Sequence, residues 1–303
     1  MILPIAATTA ALYAARTLLA RRRESAVARR LPAGPDGIIP GAATIELEGA
    51  GVHAAFLIHG FGDTPQTLAP LAEHLHARGF SVRAPLLPGH GRTLRAFARS
   101  RADEWIALAR GELAAFRERH PDAAIVGLSM GGSIAAVLAA EAPSPPVLAL
   151  VAPYVSMPTT IRRLVRVHPL IGAVAPYVGA RGGERSIHDP AAKARSLAYG
   201  CCTPRLVAEL ASVVERGRRA LPALRAPTLV VQSRQDNRVP PEAAERTFAL
   251  IGAPERRLVW TTEGGHILTV DHGRERVFEL VEGWLAEHLA ARGSAPDAAV
   301  AAG

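Results

Sequence analysis

The sequence predicts an α/β protein, a mostly parallel central sheet with helices on both faces and a helical cap insertion. Three observations carry that prediction. Short apolar runs alternate with longer runs whose apolar residues recur at helical spacing, the pattern of a parallel sheet covered on both sides. The segment Ile125-Val126-Gly127-Leu128-Ser129-Met130-Gly131-Gly132 passes from a strand-like run straight into the small-residue helix Ser133-Ile134-Ala135-Ala136. Finally, 75 residues from Ala152 to Ala226 separate two strands that a plain crossover joins in about 20 to 30.

The chain divides accordingly. Residues 1–40 form an N-terminal apolar segment and basic linker. Ile2 to Ala15 carries no charge, Thr17-Leu18-Leu19-Ala20 continues the run after Arg16, and Arg21-Arg22-Arg23 closes it. A secretory signal places its positive charge before the apolar stretch, so this order argues against one. The stretch of 19 residues is about long enough to span a bilayer, and arginines held on the inner side would keep the rest of the chain cytoplasmic. The expectation is a cytoplasmic protein with membrane contact or anchoring through residues 1–23, the alternatives being a surface helix or an overextended start site. Leu31 to Pro40, with three prolines and two glycines, reads as a linker.

Residues 41–152 supply the first part of the core. Thr44–Leu47 reads as an edge strand, Ala55–Ile58 as a core strand and Phe80–Arg83 as the next strand. Between the last two, Gln66–Arg78 is a helix with Leu68, Leu71 and Leu75 on one face, stopped by Gly79. Asp103–His120 is a helix carrying Trp105, Leu108, Leu113 and Phe116, and Val147–Val151 is the strand after the Ser129 turn. Residues 153–200 are the cap or lid, rich in Met157, Ile161, Leu164, Val165, Leu170, Ile171, Val174 and Tyr177. That content suits an acyl pocket more than a peptide site. Residues 201–291 return to the core through a helix ending near Leu221 and strands over 227–232 and 257–260, and residues 292–303 read as a flexible tail.

The chemistry gathers around Ser129. In Gly127-Leu128-Ser129-Met130-Gly131, the flanking glycines let the chain turn sharply from strand to helix, leaving the hydroxyl beside unpaired helix N–H groups. Such a serine needs a histidine to take its proton and a carboxylate to orient that histidine, in the chain order Ser, acid, His. Asp236 follows the strand Pro227–Gln232 and is the chosen acid over Asp271, which reads as the N-terminal cap of the last helix. His266, in the loop Thr262-Glu263-Gly264-Gly265-His266, is chosen over His272, read as solvent or cap chemistry. An oxyanion hole needs bare backbone donors. His59-Gly60-Phe61-Gly62-Asp63 follows an apolar strand, so the N–H groups of Phe61 and Met130 are the candidates. His59 precedes the serine in the chain and reads as a brace for that loop.

Composition narrows the alternatives. Of the formal net charge of +8, residues 1–30 contribute +5 through six arginines against Glu24, leaving about +3 for the other 273 residues. That remainder is too small to argue for nucleic acid. Lys193 is the only lysine, so the arginine content reflects a general compositional bias. Cys201 and Cys202 are adjacent, a spacing that disfavours a disulfide, and read as two free thiols in a packed helical region. No His or Cys spacing suits zinc and no Gly-rich phosphate loop is present, so neither metal nor organic cofactor is expected.

Taken with Thr64-Pro65, Leu87-Pro88-Gly89-His90-Gly91, Val239-Pro240 and Gly265-His266, these motifs make the chain resemble the α/β-hydrolase superfamily. Within it the chain is similar to the bacterial carboxylesterase and monoacylglycerol lipase branch. The resemblance spans about residues 50 to 290 and does not reach residues 1–30. It implies an α/β-hydrolase fold and a serine hydrolase that cleaves carboxylic esters, of acyl ester or monoacylglycerol type, through an acyl-enzyme intermediate without a cofactor. The expected partner is a small-molecule ester with an apolar acyl group. Thioesterase or aminopeptidase activity on the same scaffold, or a non-catalytic binding protein of this fold, are the alternatives. Residues 153–200 hold Glu184 and Asp189 against seven Arg and Lys, which disfavours the ammonium binding an aminopeptidase needs.

Overall fold

Strands that are buried along their whole length belong inside a sheet covered on both faces. Four here answer that description: β2 (Ala54–Ile58), β4 (Ala124–Leu128), β5 (Leu148–Val151) and β8 (Thr228–Ser233), in which every residue is buried. With β1 (Ile45–Leu47), β3 (Ser81–Ala84) and β9 (Arg256–Thr261) they form a seven-stranded sheet in the order β1-β3-β2-β4-β5-β8-β9. Only the short edge strand β1 runs antiparallel; the other pairs, such as Phe56 with Ile125 and Leu128 with Val151, are parallel. The computed structural model describes residues 2–179 and 186–293, with side chains from 10 to 291.

Successive side chains point to opposite faces of a strand, so each strand feeds two cores. Phe56, Ile58, Ile125, Leu148, Leu150 and Val230 face one layer, made by α3 (Leu94–Arg99), α4 (Ala102–Arg119), α5 (Met130–Ala139) and α9 (Pro204–Ala220), with α10 (Pro241–Leu250) beside β8. Ala55, Leu57, Val126, Leu128, Val151 and Val231 face the other, made by α2 (Ala69–Ala77) and α11 (Arg274–Gly293). Trp105 and Phe116 on α4 belong to the expected helical stripe, and Val281 and Leu285 on α11 are buried likewise. Residues 294–303, most of the stretch read as a tail, lie outside the described residues.

Between β5 and β8 the chain builds α6 (Thr159–Arg166), α7 (His168–Val174), β6 (Val178–Gly179), α8 (Pro190–Arg195) and β7 (Cys201–Cys202) before α9. One detail differs from the sequence reading. Cys201 and Cys202 are buried free thiols, yet they lie in a strand, paired antiparallel with Gly179 and Val178. Burial, with Cys201 close by, pushes the Cys202 thiol up to about 12. In α6 and α7 no residue is buried: Ile161, Val165 and Ile171 are half-buried, and Leu164, Leu170 and Val174 are exposed. An amphipathic stripe buries only where a neighbour covers it, and these last three have none of sufficient extent among the described residues.

The N-terminal segment is one long helix, α1 (Ile2–Arg30). Its C-terminal end is anchored, with Val27 buried, the Tyr177 hydroxyl donating to Glu24 at 2.8 Å and Arg30 donating to the Ala198 carbonyl. Further up, Arg16 donates to the Gly172 carbonyl of α7 at 2.7 Å. Among the described residues no helix is long and apolar enough to cross a membrane. The stretch read as a linker is docked as well: Leu31, Ile39 and Ala42 are buried, and Ile39 N–H donates to the Gly91 carbonyl. Its prolines and glycines mark turns, while its apolar residues hold it against the core.

Candidate active site

The elbow after β4 is built by close approach. A side chain at Gly131 would run into the Ile58 carbonyl of the neighbouring strand, and one at Gly127 into the Gly131 carbonyl. With those Cβ positions empty, the chain turns into α5 within one residue, and that residue is Ser129, at φ 55° and ψ −117°. A non-glycine residue at positive φ is strained by about 1–3 kcal/mol and persists where its surroundings over-determine it. Here Ser129 N–H donates to Val151, and its carbonyl accepts from Gly132 and Tyr154. The hydroxyl is thereby held at the carboxyl edge of the sheet, at the head of a helix.

The loops after β8 and β9 reach the same edge. His266 Nε2 lies 2.7 Å from Ser129 Oγ, and His266 Nδ1 lies 2.8 Å from Asp236 Oδ2. All three side chains are buried, though they stand 107 and 30 residues apart in the chain. An ionised carboxylate can only accept, so Nδ1 carries the proton toward Asp236 and Nε2 is left to accept from the serine hydroxyl. Burial opposes the charge on Asp236, but His266 and the N–H groups of Val239 and Arg238 outweigh it and hold the carboxyl below its ordinary range. The arrangement can therefore draw a proton from Ser129 Oγ onto an imidazole whose far side is already tethered.

The loop after β2 passes beside the hydroxyl: a Cβ at Gly60 would sit 3.4 Å from Ser129 Cβ. His59 braces it, accepting from Leu87 N–H through Nε2 at 3.1 Å while its Nδ1–H donates to the Gly60 carbonyl. Burial lowers the imidazole of His59 to about 4, which keeps it neutral and able to accept. Phe61 packs against Phe97, Trp105 and His90, pinning the turn whose N–H was expected to face an oxyanion. Met130, the other expected donor, is the first residue of α5, where helix N–H groups have no partner within the helix.

The competing residues go elsewhere. His272 is exposed. Asp271 is not the cap of α11. Its buried carboxylate accepts instead from the N–H groups of Gly265 at 2.6 Å, His188 at 2.8 Å, Asp189 at 2.8 Å and His272 at 2.9 Å. A carboxylate that finds four converging donors is better satisfied there than at a helix end facing water. Gln232 was also overlooked. Its amide donates to Asp236 Oδ2 at 2.7 Å, and a polar residue near the end of a fully buried strand was the signal that could have revealed it. Among the described residues no cluster of three His, Cys, Asp or Glu side chains is arranged to hold a metal ion.

Comparison with known proteins agrees with this fold. The family model for serine aminopeptidase, S33, matches residues 52–273, well over half of the chain. The thermostable monoacylglycerol lipase of Bacillus sp. (strain H-257) is 26% identical over 232 residues, covering 77% of this chain and 90% of that protein. The carboxylesterase of Bacillus subtilis (strain 168) is 24% identical over 232 residues, 76% of this chain and 90% of that one. Among solved structures, one of the metagenome-derived lipolytic enzymes LipS and LipT superposes with a TM-score of 0.75 at 26% identity, covering 83% of this chain and all of that one.

Proposed function

The chain belongs to the serine aminopeptidase S33 family, within the α/β-hydrolases, and we propose that in this family it is a serine hydrolase of small carboxylic esters. It is a lipase- or esterase-like hydrolase, as its relatives are. Ser129 attacks the ester carbonyl while His266 takes its proton and Asp236 holds the resulting imidazolium. The N–H groups of Phe61 and Met130 receive the oxyanion. His266 then protonates the departing alcohol, and water, deprotonated by the same imidazole, releases the acid from Ser129. The observation that carries this reading is the Ser129–His266–Asp236 row, joined by contacts of 2.7 and 2.8 Å.

A monoacylglycerol or a simple acyl ester is the substrate class, since the named relatives include a monoacylglycerol lipase and a carboxylesterase. An aminopeptidase reading would need a carboxylate for the substrate ammonium. Among the described residues of the insertion Asp189 is the only acid, and its side chain caps α8 by accepting from Ala191 N–H. Turnover of p-nitrophenyl esters of two to sixteen carbons, beside an aminoacyl p-nitroanilide, tests the choice. Ester hydrolysis abolished by Ser129→Ala supports it; anilide turnover without ester turnover overturns it.

Contact with a membrane surface is a second, independent reading, favoured by exposed apolar side chains joined to excess positive charge. Leu12, Tyr13, Leu18 and Leu19 on α1 and Leu164, Leu170 and Val174 on the insertion are exposed. Arg21, Arg22, Arg23, Arg162, Arg163 and Arg166 lie among them in sequence, the composition of a helix that lies in a lipid interface. The full chain should sediment with vesicles containing phosphatidylglycerol, and the triple Arg21→Gln, Arg22→Gln, Arg23→Gln variant should bind several-fold less. No sedimentation with any vesicle would remove the reading.

A further inference from the structure

The mechanism assigns nothing to Asp271, yet among the described residues its carboxylate is one of the most heavily used acceptors. It is 1% exposed, and its two oxygens take N–H groups from three different places. Gly265 comes from the loop that carries His266, His188 and Asp189 come from the last stretch of the insertion, and His272 adjoins Asp271 itself. The traffic also runs the other way. His266 N–H and Ile267 N–H both donate to the Ser186 carbonyl, at 2.9 and 3.0 Å. Ser186 Oγ is bonded to the Asn237 side chain and to Arg238 Nε, next to the acid Asp236. Residues 186–189 are therefore stitched to the loops of both His266 and Asp236.

From this we infer that Asp271 is a positioning residue for His266, clamping the histidine loop and the exit of the insertion into one unit. The inference rests on the ester-hydrolase reading for its kinetic consequence and on the bond lengths for its geometry. Several backbone N–H groups aimed at one point form a site that a carboxylate fills and a carboxamide does not, because the amide NH2 would face donors. Loss of one such bond would let Gly265, the residue immediately before His266, relax away from the sheet edge. A misplacement of about 1 Å in a reacting group commonly costs about a hundredfold in rate. The insertion thereby gains a second role: its exit segment helps to set the distance between imidazole and hydroxyl.

The test is Asp271→Asn in the full chain, read in two ways. With a soluble short-chain ester, kcat should fall about 10- to 100-fold while KM stays within about twofold, because Asp271 lies behind the histidine loop. The far-downfield proton resonance expected in the wild type without substrate from the His266 Nδ1–H bonded to Asp236 should shift or broaden. A purely structural role would lower thermal stability and leave both readouts unchanged in the folded protein. Unchanged kcat, or an unchanged resonance, overturns the inference. Should Asp271→Asn not fold, His188→Pro decides by the same two readouts, since it deletes one donor to Asp271 and replaces an exposed side chain. A wild type with the resonance but no ester turnover would instead defeat the functional reading and leave the clamp standing.

Discussion

The sheet edge at Ser129 and the helical pair α6–α7 are both rich in apolar residues, and they meet opposite fates. Every residue of β4 is buried, and the turn beyond it is defined by backbone contacts too close for a Cβ. In α6 and α7 no residue is buried, and Leu170 is 72% exposed. The difference teaches where precision resides. A nucleophile must be held to within a fraction of an ångström, which only a strand packed on both faces can provide. The helices beyond it have no such demand on them, so their surface is free to meet something other than the protein's own core.

Four measurements would break or sharpen this contrast. The largest effect is expected at the edge itself: Ser129→Ala should cut ester turnover by about 10⁴-fold or more while the far-UV spectrum stays native. Retained activity would place the nucleophile elsewhere. Next, Trp105→Ala, at a fully buried ring that backs Phe61, should cost about 3–5 kcal/mol of stability in denaturant titration. A cost under 1 kcal/mol would mean that the core layer is looser than its burial indicates.

Smaller, and dependent on pH, is the effect of Asp63→Asn. Burial raises the Asp63 carboxyl to about 7, well above its ordinary range. As pH rises from about 4 to 7 the unfolded chain ionises first, so the folded state progressively loses relative stability. Asparagine removes that loss, so the variant's melting temperature should exceed the wild type's at pH 8 and converge with it near pH 4. The reverse slope would show that Asp63 is ionised and paired. Asp236 and Asp271 act with the opposite sign, being held below the ordinary carboxylate range: the stability they lend at neutral pH is lost as acid protonates them. The smallest effect belongs to the insertion: Leu170→Ala should stay within about 0.5 kcal/mol of wild type. A larger loss would mean that something covers α7 in solution.

The elements carrying the site were readable because they obey short-range rules. Strand Ala124–Leu128 is fenced and apolar, and a glycine on either side of Ser129 signals the sharp turn. The order Ser129, Asp236, His266 followed from the connectivity of such a sheet. What stayed hidden has a different cause. Asp271 looked like a helix cap because it precedes the helix Arg274–Gly293, and nothing local announces that His188 and Asp189, more than eighty residues upstream, would converge on it. Leu31–Pro40 read as a linker, and its docking was not visible because proline and glycine mark turns in docked and undocked segments alike. The exposure of Leu164, Leu170 and Val174 was invisible for the same reason: an amphipathic pattern states that a face is apolar, not what will cover it.

What the amino-acid order determined on its own was the alternation of strands and helices, the glycine-flanked turn at Ser129 and the identities of the acid and base candidates. Backbone propensity, side-chain size and spacing act over a few residues and need no partner. What only the folded chain decided was distance and satisfaction: 2.7 Å from imidazole to hydroxyl, four N–H groups on one buried carboxylate, and a surface left bare on the insertion. Those depend on segments far apart in sequence meeting with their polar groups paired. A buried polar group left unpaired is costly, and that cost is settled only when all the partners are in place.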